Sequence, residues 1–451
     1  MSALRIFFTN DSLKWRSARG TVWVGLSFGS ENVLRLASNL VLTRLLFPEA
    51  FGLMAIVQVF IAGLAMFSDL GIRASVVHDK QGADPAFLNT AFMMQVVRGV
   101  VLWGITCAIA QPVASFYDQP ILAQILPVAG FVAVLQGFNS TNLHTADRNM
   151  TLGRITVLKI STQLTGILVM IALAWTLESV WALVFGGLVA PALVAVLSHL
   201  VLPGIRNRFA FDRVLAWRLF HFGKYIFIAT VAGFFVRHAD RAILGRFVSL
   251  DELAFYNIAF FLASAPMLLS ARLANKVLFP LYSTAARAEE GATVEKIGRL
   301  RRVIIFGSLS LLMVFAVVGV DLIALLYDAR YQTSGPLLVL LAISLMPSTI
   351  NAAYSMLPVA NGDSRRFAML AVLSALLRTG GIYFGAVNYG VVGVIMVPML
   401  TTLIFYPIQV AFTLRYRAWD PRLDAVAILT AGLLAGLALW LNPEARALLV
   451  F

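Results

Sequence analysis

Apolar runs of eighteen residues or more recur from one end of this chain to the other, and that pattern leaves few folds open. Hydrocarbon offers no hydrogen-bond partners, so backbone can cross it only as helices or as a closed barrel. A barrel would show short alternating segments, and none are found in this sequence. Charged residues make up 13% of the 451, against about 25% in soluble domains, and mean hydropathy is +0.86. The expected class is therefore an all-α polytopic membrane protein. The first apolar run is too long and too interrupted by polar residues for a cleavable signal, and the single Cys107 can form no internal disulfide.

Spans are predicted near 21–43, 51–74, 88–110, 121–143, 155–175, 180–202, 223–247, 253–275, 303–326, 336–359, 367–387, 391–413 and 425–441, thirteen in all. With the N-terminus placed in the cytoplasm, about 23 of the 35 Lys and Arg fall in loops on that side, including Arg206, Arg208 and Arg213, and Lys296, Arg299, Arg301 and Arg302. The opposite loops hold only Arg44, Arg246, Arg330 and Arg446. This is the positive-inside pattern, so the net charge of +13 reflects topology and not nucleic acid. The basic stretches 204–222 and 276–302 are expected to carry amphipathic helices lying in the interface, against lipid phosphates.

Charges inside the spans carry the functional argument. The run from Gly20 to Leu46 is long enough to cross a bilayer yet contains Glu31, Asn32, Arg35 and Asn39. Arg35 lies fifteen residues in, about 22 Å deep, where a charge costs about 2.5–3.5 kcal/mol. The arrangement recurs 202 positions later: Arg35 falls on Arg237, Arg44 on Arg246, Trp15 on Trp217, and Glu49 on Asp251. Six spans separate the copies. The expected architecture is two six-helix bundles related by a pseudo-twofold along the membrane normal, with a cavity at their interface and an extra C-terminal span. The boundaries drawn are 1–202 and 223–413 for the bundles, 203–222 for a cytoplasmic linker and 414–451 for the appended span and tail.

Four arginines, Arg35, Arg98, Arg237 and Arg378, lie near mid-depth by counting. Asn32, Arg35 and Asn39 share one helical face, and Gly233, Arg237, Asp240 and Arg241 form the matching stripe. These residues are candidates for binding anionic cargo in a water-filled cavity. Glu31, Asp69 and Asp240 are candidates for ion coupling. The competing account is self-neutralisation, Glu31 with Arg35 at i, i+4 and Asp240 with Arg237 at i, i+3. For Arg98 and Arg378, pairing across helices competes equally with a cavity-facing role. Gln136, Asn139, Asn142, Gln163, Asn351 and Ser355 read first as interhelical hydrogen-bond glue. The sequence holds no GxxxxGKS loop, HExxH, GxSxG or Cys/His cluster, so no catalytic residue, metal or cofactor is expected.

Several segments carry a resemblance. Leu40–Lys80 (LVLTRLLFPEAFGLMAIVQVFIAGLAMFSDLGIRASVVHDK), FLNTAF at 87–92, SFYDQP at 115–120 and RNMTLGRITVLKIS at 148–161 resemble the polysaccharide transporter family of the multidrug/oligosaccharidyl-lipid/polysaccharide exporter superfamily. The resemblance implies a flippase of the bacterial inner membrane that exports polyprenyl-diphosphate-linked oligosaccharides for exopolysaccharide, capsule or O-antigen. It implies alternating access through a cationic cavity, with Arg35 in the place of a cavity-lining first-span arginine. Lipid-linked oligosaccharide and membrane lipids are the expected partners, together with polysaccharide polymerase and export machinery, and no nucleic acid. Two alternatives share the fold: a drug or metabolite cation antiporter, which would need a net acidic cavity, and a peptidoglycan lipid flippase. A non-transporting scaffold of a polysaccharide assembly complex is the third.

Overall fold

The structure is a computed structural model that describes residues 13–67, 72, 75, 76, 79, 81–149, 151–285, 291–416 and 418–449. It divides into two compact units, Met1–Val231 and Ala232–Phe451. Among the described residues every regular element is a helix.

In the first unit, α1 (Leu13–Leu45) leads across a two-residue turn into α2 (Pro48–Phe67). Asp84 opens α3 (Pro85–Phe116): its carboxylate accepts the Ala86 N–H at 2.7 Å, and Pro85 sits where no N–H is needed. The next crossing is broken into α4 (Leu122–Gly130), α5 (Val132–Gly137) and α6 (Asn142–Arg148), with a 59° bend before α6. Then follow α7 (Leu152–Leu177) and α8 (Val180–Val201). Residues 203–212 carry no helix. They are tied to the break before α6, where Asn207 Oδ1 accepts from the Ser140 hydroxyl at 2.9 Å and Asn142 Nδ2 donates to the Ile205 carbonyl at 3.0 Å. The helix expected within 203–222 begins at Arg213, as the start of α9 (Arg213–Phe247), and α9 runs through the division between the units.

The second unit continues with α10 (Leu250–Ala263), opened by a capping box in which Ser249 and Glu252 satisfy each other's N–H. Next come α11 (Ala265–Leu273), one π turn at Ala274–Leu278, α12 (Phe279–Ala285) and α13 (Gly291–Leu326). A bent pair follows: α14 (Ser334–Leu345) is turned by 45° from the arm Ser348–Ala360, which comprises α15 (Ser348–Tyr354) and the single turn α16 (Leu357–Ala360). The chain ends with α17 (Ser364–Arg415), α18 (Pro421–Leu441) and α19 (Pro443–Ala447). All twelve residues of α14 are buried, the mark of a helix surrounded by others. α17 is a hairpin: Gly390 has φ +57°, and Gly385 and Gly393 press backbone to backbone, so a Cβ on Gly393 would collide with the Gly385 carbonyl.

The 202-residue repeat reappears in the helix ends. α1 stops at Leu45 and α9 at Phe247, and α2 begins at Pro48 and α10 at Leu250, all at the same offset. Large apolar side chains face outward, with Leu325, Leu433 and Trp440 each more than 70% exposed, which suits lipid and not water. This is an all-α, multi-pass membrane protein. Eight helices among the described residues are long and apolar enough to cross a bilayer, ten if each bent pair is one span. The thirteen spans expected from sequence exceed that number at the charge-bearing α1 and α9 and at the doubled α17.

Candidate functional site

On α1 of the first unit, Arg35 is exposed and its guanidinium makes no ion pair or hydrogen bond among the described residues. The expected i, i+4 pairing with Glu31 does not form. The Glu31 carboxylate instead accepts the Ser27 hydroxyl at 2.6 Å, one turn back along the same helix. Its backbone carbonyl accepts Gln163 Nε2 of α7 at 3.1 Å, so Gln163 is the interhelical glue that its sequence position suggested. Asn32 and Asn39 are half-buried on the same helix.

Arg98 of α3 reaches across to α2 and also borders a pocket within the first unit. Its Nη2 donates to the Ala65 carbonyl at 2.7 Å. Ala65 is in the last turn of α2, where carbonyls lack helical partners and the helix dipole is negative, so a cation there is stabilised by about 0.3–1 kcal/mol beyond the hydrogen bond. The same side chain lines a pocket of ≈ 310 Å³ together with Gln95, Thr106, Gln136, Asn139 and His144. Two of these residues each hold an amide oxygen, Gln95 Oε1 and Asn139 Oδ1, that is buried without a hydrogen-bond partner among the described residues.

In the second unit, Arg237 lies exposed on α9 and its guanidinium folds back over Gly233, with Nη2 2.9 Å from where a Cβ would stand. Asp240, one turn on, is 5% exposed. Its carboxylate accepts the Tyr256 hydroxyl of α10 at 2.7 Å and the Arg241 backbone N–H at 2.9 Å. Arg241 turns to α10 as well: Nε donates to Asn257 Oδ1 at 2.8 Å and the guanidinium lies 4.7 Å from the Phe260 ring centroid. A cation over a desolvated ring contributes about 0.5–2 kcal/mol, which offsets much of the cost of holding Arg241 in the membrane. Arg378 of α17 lies within electrostatic range of Tyr256, and its Nε is buried without a hydrogen-bond partner among the described residues. The structure thus ties both Asp240 and Arg241 to α10, with Arg378 in range of the tyrosine that holds Asp240. Arg35, Asn32, Asn39, Glu31 and Arg98 belong to the first unit, and Asp69 lies outside the described residues.

Sequence reasoning missed a third assembly. Arg301 was read as a loop cation, but on α13 it is 5% exposed. Its guanidinium lies between the rings of Tyr282 and Tyr354, at 5.2 and 4.6 Å from their centroids, and donates to the Tyr282 hydroxyl at 2.7 Å and the Ala418 carbonyl at 2.6 Å. Tyr354 and Tyr406 donate in turn to the two oxygens of a fully buried Asp424, at 3.0 and 2.8 Å. A signal was present: Ile297, Arg301, Ile304, Ile305 and Ser308 share one helical face, and all are buried. Among the described residues no three His, Cys, Asp or Glu side chains come together as a metal site.

Known proteins resemble the chain over most of its length. It is 22% identical over 379 residues to the succinoglycan biosynthesis transport protein ExoT of Rhizobium meliloti, covering 82% of this chain and 74% of that one. It is 20% identical over 410 residues to the lipopolysaccharide biosynthesis protein WzxC of Escherichia coli, covering 88% and 82%. Among solved structures, the lipid II flippase MurJ in an inward closed conformation superposes with a TM-score of 0.68 at 12% identity, over 95% of this chain and 99% of the other, which establishes a shared fold. The model of one family, described as polysaccharide biosynthesis protein, matches residues 41–336, about two thirds of the sequence, and the chain belongs to that family.

Proposed function

We propose that this protein is a flippase for polyprenyl-diphosphate-linked oligosaccharides, not an enzyme, acting in the bacterial inner membrane with its N-terminus in the cytoplasm. What supports the reading, beside the family and the relatives named for polysaccharide transport, is Arg35: a guanidinium on a long helix with no counter-ion among the described residues. The cargo head, a diphosphate with sugars, is anionic and hydrated and cannot enter hydrocarbon unaided. Arginine stays charged at any physiological pH and meets phosphate with two parallel N–H bonds. Arg35 with Asn32 and Asn39, and Arg237, Arg241 and Arg378 in the second unit, would take that head, while the polyprenyl tail stays in lipid. Alternating access, with these sites open first to one face of the membrane and then to the other, would complete transport. Glu31, Asp69 and Asp240 are the acids through which an ion gradient could act. Polysaccharide polymerase and export machinery would receive the product. A cation antiporter fits less well, since the Asp240 cluster carries more guanidinium than carboxylate.

The test is Arg35→Ala. Surface polymer production and flipping by the reconstituted protein should fall at least tenfold with membrane abundance unchanged, because a charge-assisted pair is worth about 1.5–3 kcal/mol. Arg35→Lys should be intermediate. Undiminished export in Arg35→Ala would overturn the reading.

A further inference from the structure

The helix that carries Arg35 has little apolar packing to set its rotation. Among the side chains of α1 described between Trp23 and Val41 none is buried, and the first that are, Leu42 and Thr43, lie beyond Arg35 near the end of the helix. The stretch runs beside α7 in the same direction. The Trp23 ring lies on Gly153, where a Cβ would stand 3.2 Å from it, and further along Gln163 Nε2 donates to the Glu31 carbonyl at 3.1 Å. In an α-helix that carbonyl already accepts from the N–H four residues on, which is the N–H of Arg35. Gln163 therefore holds the backbone of the turn that carries the guanidinium. The Glu31 carboxylate is drawn the other way, to the Ser27 hydroxyl at 2.6 Å.

We propose that Gln163 is a positioning residue for Arg35: it sets the rotation of α1, and so the direction in which the guanidinium leaves the helix. The effect on transport rests on the flippase reading. α7 can act as the fixed reference because its other side is packed closely on α8, where a Cβ on Gly186 would collide with Met170. A carbonyl has two lone pairs, so the Glu31 oxygen can accept from Gln163 and keep its helical bond. Hydrogen bonds are directional and apolar contact is not, so an amide fixes an angle that a leucine in its place would leave loose. Turning α1 by ~30° would carry a side-chain tip ~6 Å from the helix axis through ~3 Å. A shift of ~1 Å is already enough to spoil a productive contact.

The discriminating variant is Gln163→Leu, which keeps approximate volume and removes the donor. Its geometry is read without any transport: in a Cys107→Ser background, full-length Arg35→Cys protein in liposomes is treated with a water-soluble methanethiosulfonate, with and without Gln163→Leu. The reaction rate at position 35 should change roughly three- to tenfold, the worth of one interhelical hydrogen bond in a membrane. Transport is then measured with polyprenyl-diphosphate oligosaccharide extracted from the producing cells. In Gln163→Leu the half-saturating lipid concentration should rise by a similar factor with the maximal rate little altered. The Tm should hold, because the Glu31 carbonyl keeps its helical N–H. In an Arg35→Ala background Gln163→Leu should cost nothing more. An unchanged thiol rate would overturn the assignment. So would a lowered Tm with transport losses that multiply those of Arg35→Ala, the result of an amide that only holds the bundle together. A changed thiol rate in a protein whose transport is indifferent to Arg35→Ala would support the geometry and overturn the cargo role of Arg35 alone.

Discussion

At the residue scale, the most consequential side chain besides the candidate cargo arginines is Arg301. Two hydrogen bonds and two aromatic faces fix its planar guanidinium, and no lysine can reproduce that fork and stack. Its positive charge also stands near the buried Asp424, reached through the Tyr354 ring and hydroxyl. Removing it would leave the Ala418 carbonyl unpaired and the Asp424 carboxylate without a neighbouring cation. We expect Arg301→Met to destabilise the second unit by about 2–4 kcal/mol, read as a lowered Tm of the purified protein. Arg299→Met, two residues away, should change Tm little, since its ion pair with Glu295 at 3.1 Å is exposed on both sides. Equal effects of the two substitutions would contradict the buried role. Neighbouring letters in one basic run thus have different fates, and only helical periodicity separates them. Arg35 was legible because a charge inside an apolar run is rare. The partner of Arg98 was not, because a backbone carbonyl thirty-three residues away leaves no trace in residue identity.

At the scale of elements, the α17 hairpin shows how local chemistry sets a crossing. The short turn at Asn388–Gly390 was predicted from the break between two apolar runs, and it occurs with Gly390 in the left-handed region. The close approach of Gly385 and Gly393 was not predicted, because glycine inside an apolar run marks tight packing without saying against what. Gly393→Leu would drive side-chain atoms into the Gly385 backbone, and we expect a loss of about 1–3 kcal/mol with reduced membrane abundance. Gly380→Leu, with open space where its Cβ would stand, should be tolerated. If both variants accumulate and melt like wild type, the hairpin is not packed as described. A different failure of legibility occurred at Asp240. The i, i+3 spacing to Arg237 offered a local partner, yet the carboxylate is held across helices by Tyr256, a residue that reads as ordinary apolar packing.

For the whole molecule, the repeat and the charge asymmetry make one claim about how the chain threads the bilayer. Helix ends recurring at the 202-residue offset mean that equivalent loops should lie on equivalent sides. The basic segment 203–212 and the exposed start of α13 at Glu295 and Lys296 should then face the cytoplasm. The tight turns at Asp118 and Glu178, both with positive φ, should face the opposite side. Cysteine accessibility tests this directly, because the chain has only Cys107 to remove. In a Cys107→Ser background, Asp118→Cys and Glu178→Cys should react with a membrane-impermeant maleimide in cells whose outer membrane alone is opened. Arg208→Cys and Glu295→Cys should react only after the inner membrane is broken. Fully inverted labelling would reverse the orientation, and the arginine sites would have to load cargo from the other face. Mixed labelling of Asp118→Cys and Arg208→Cys from one side would do more damage, since an odd number of crossings between those positions would no longer hold.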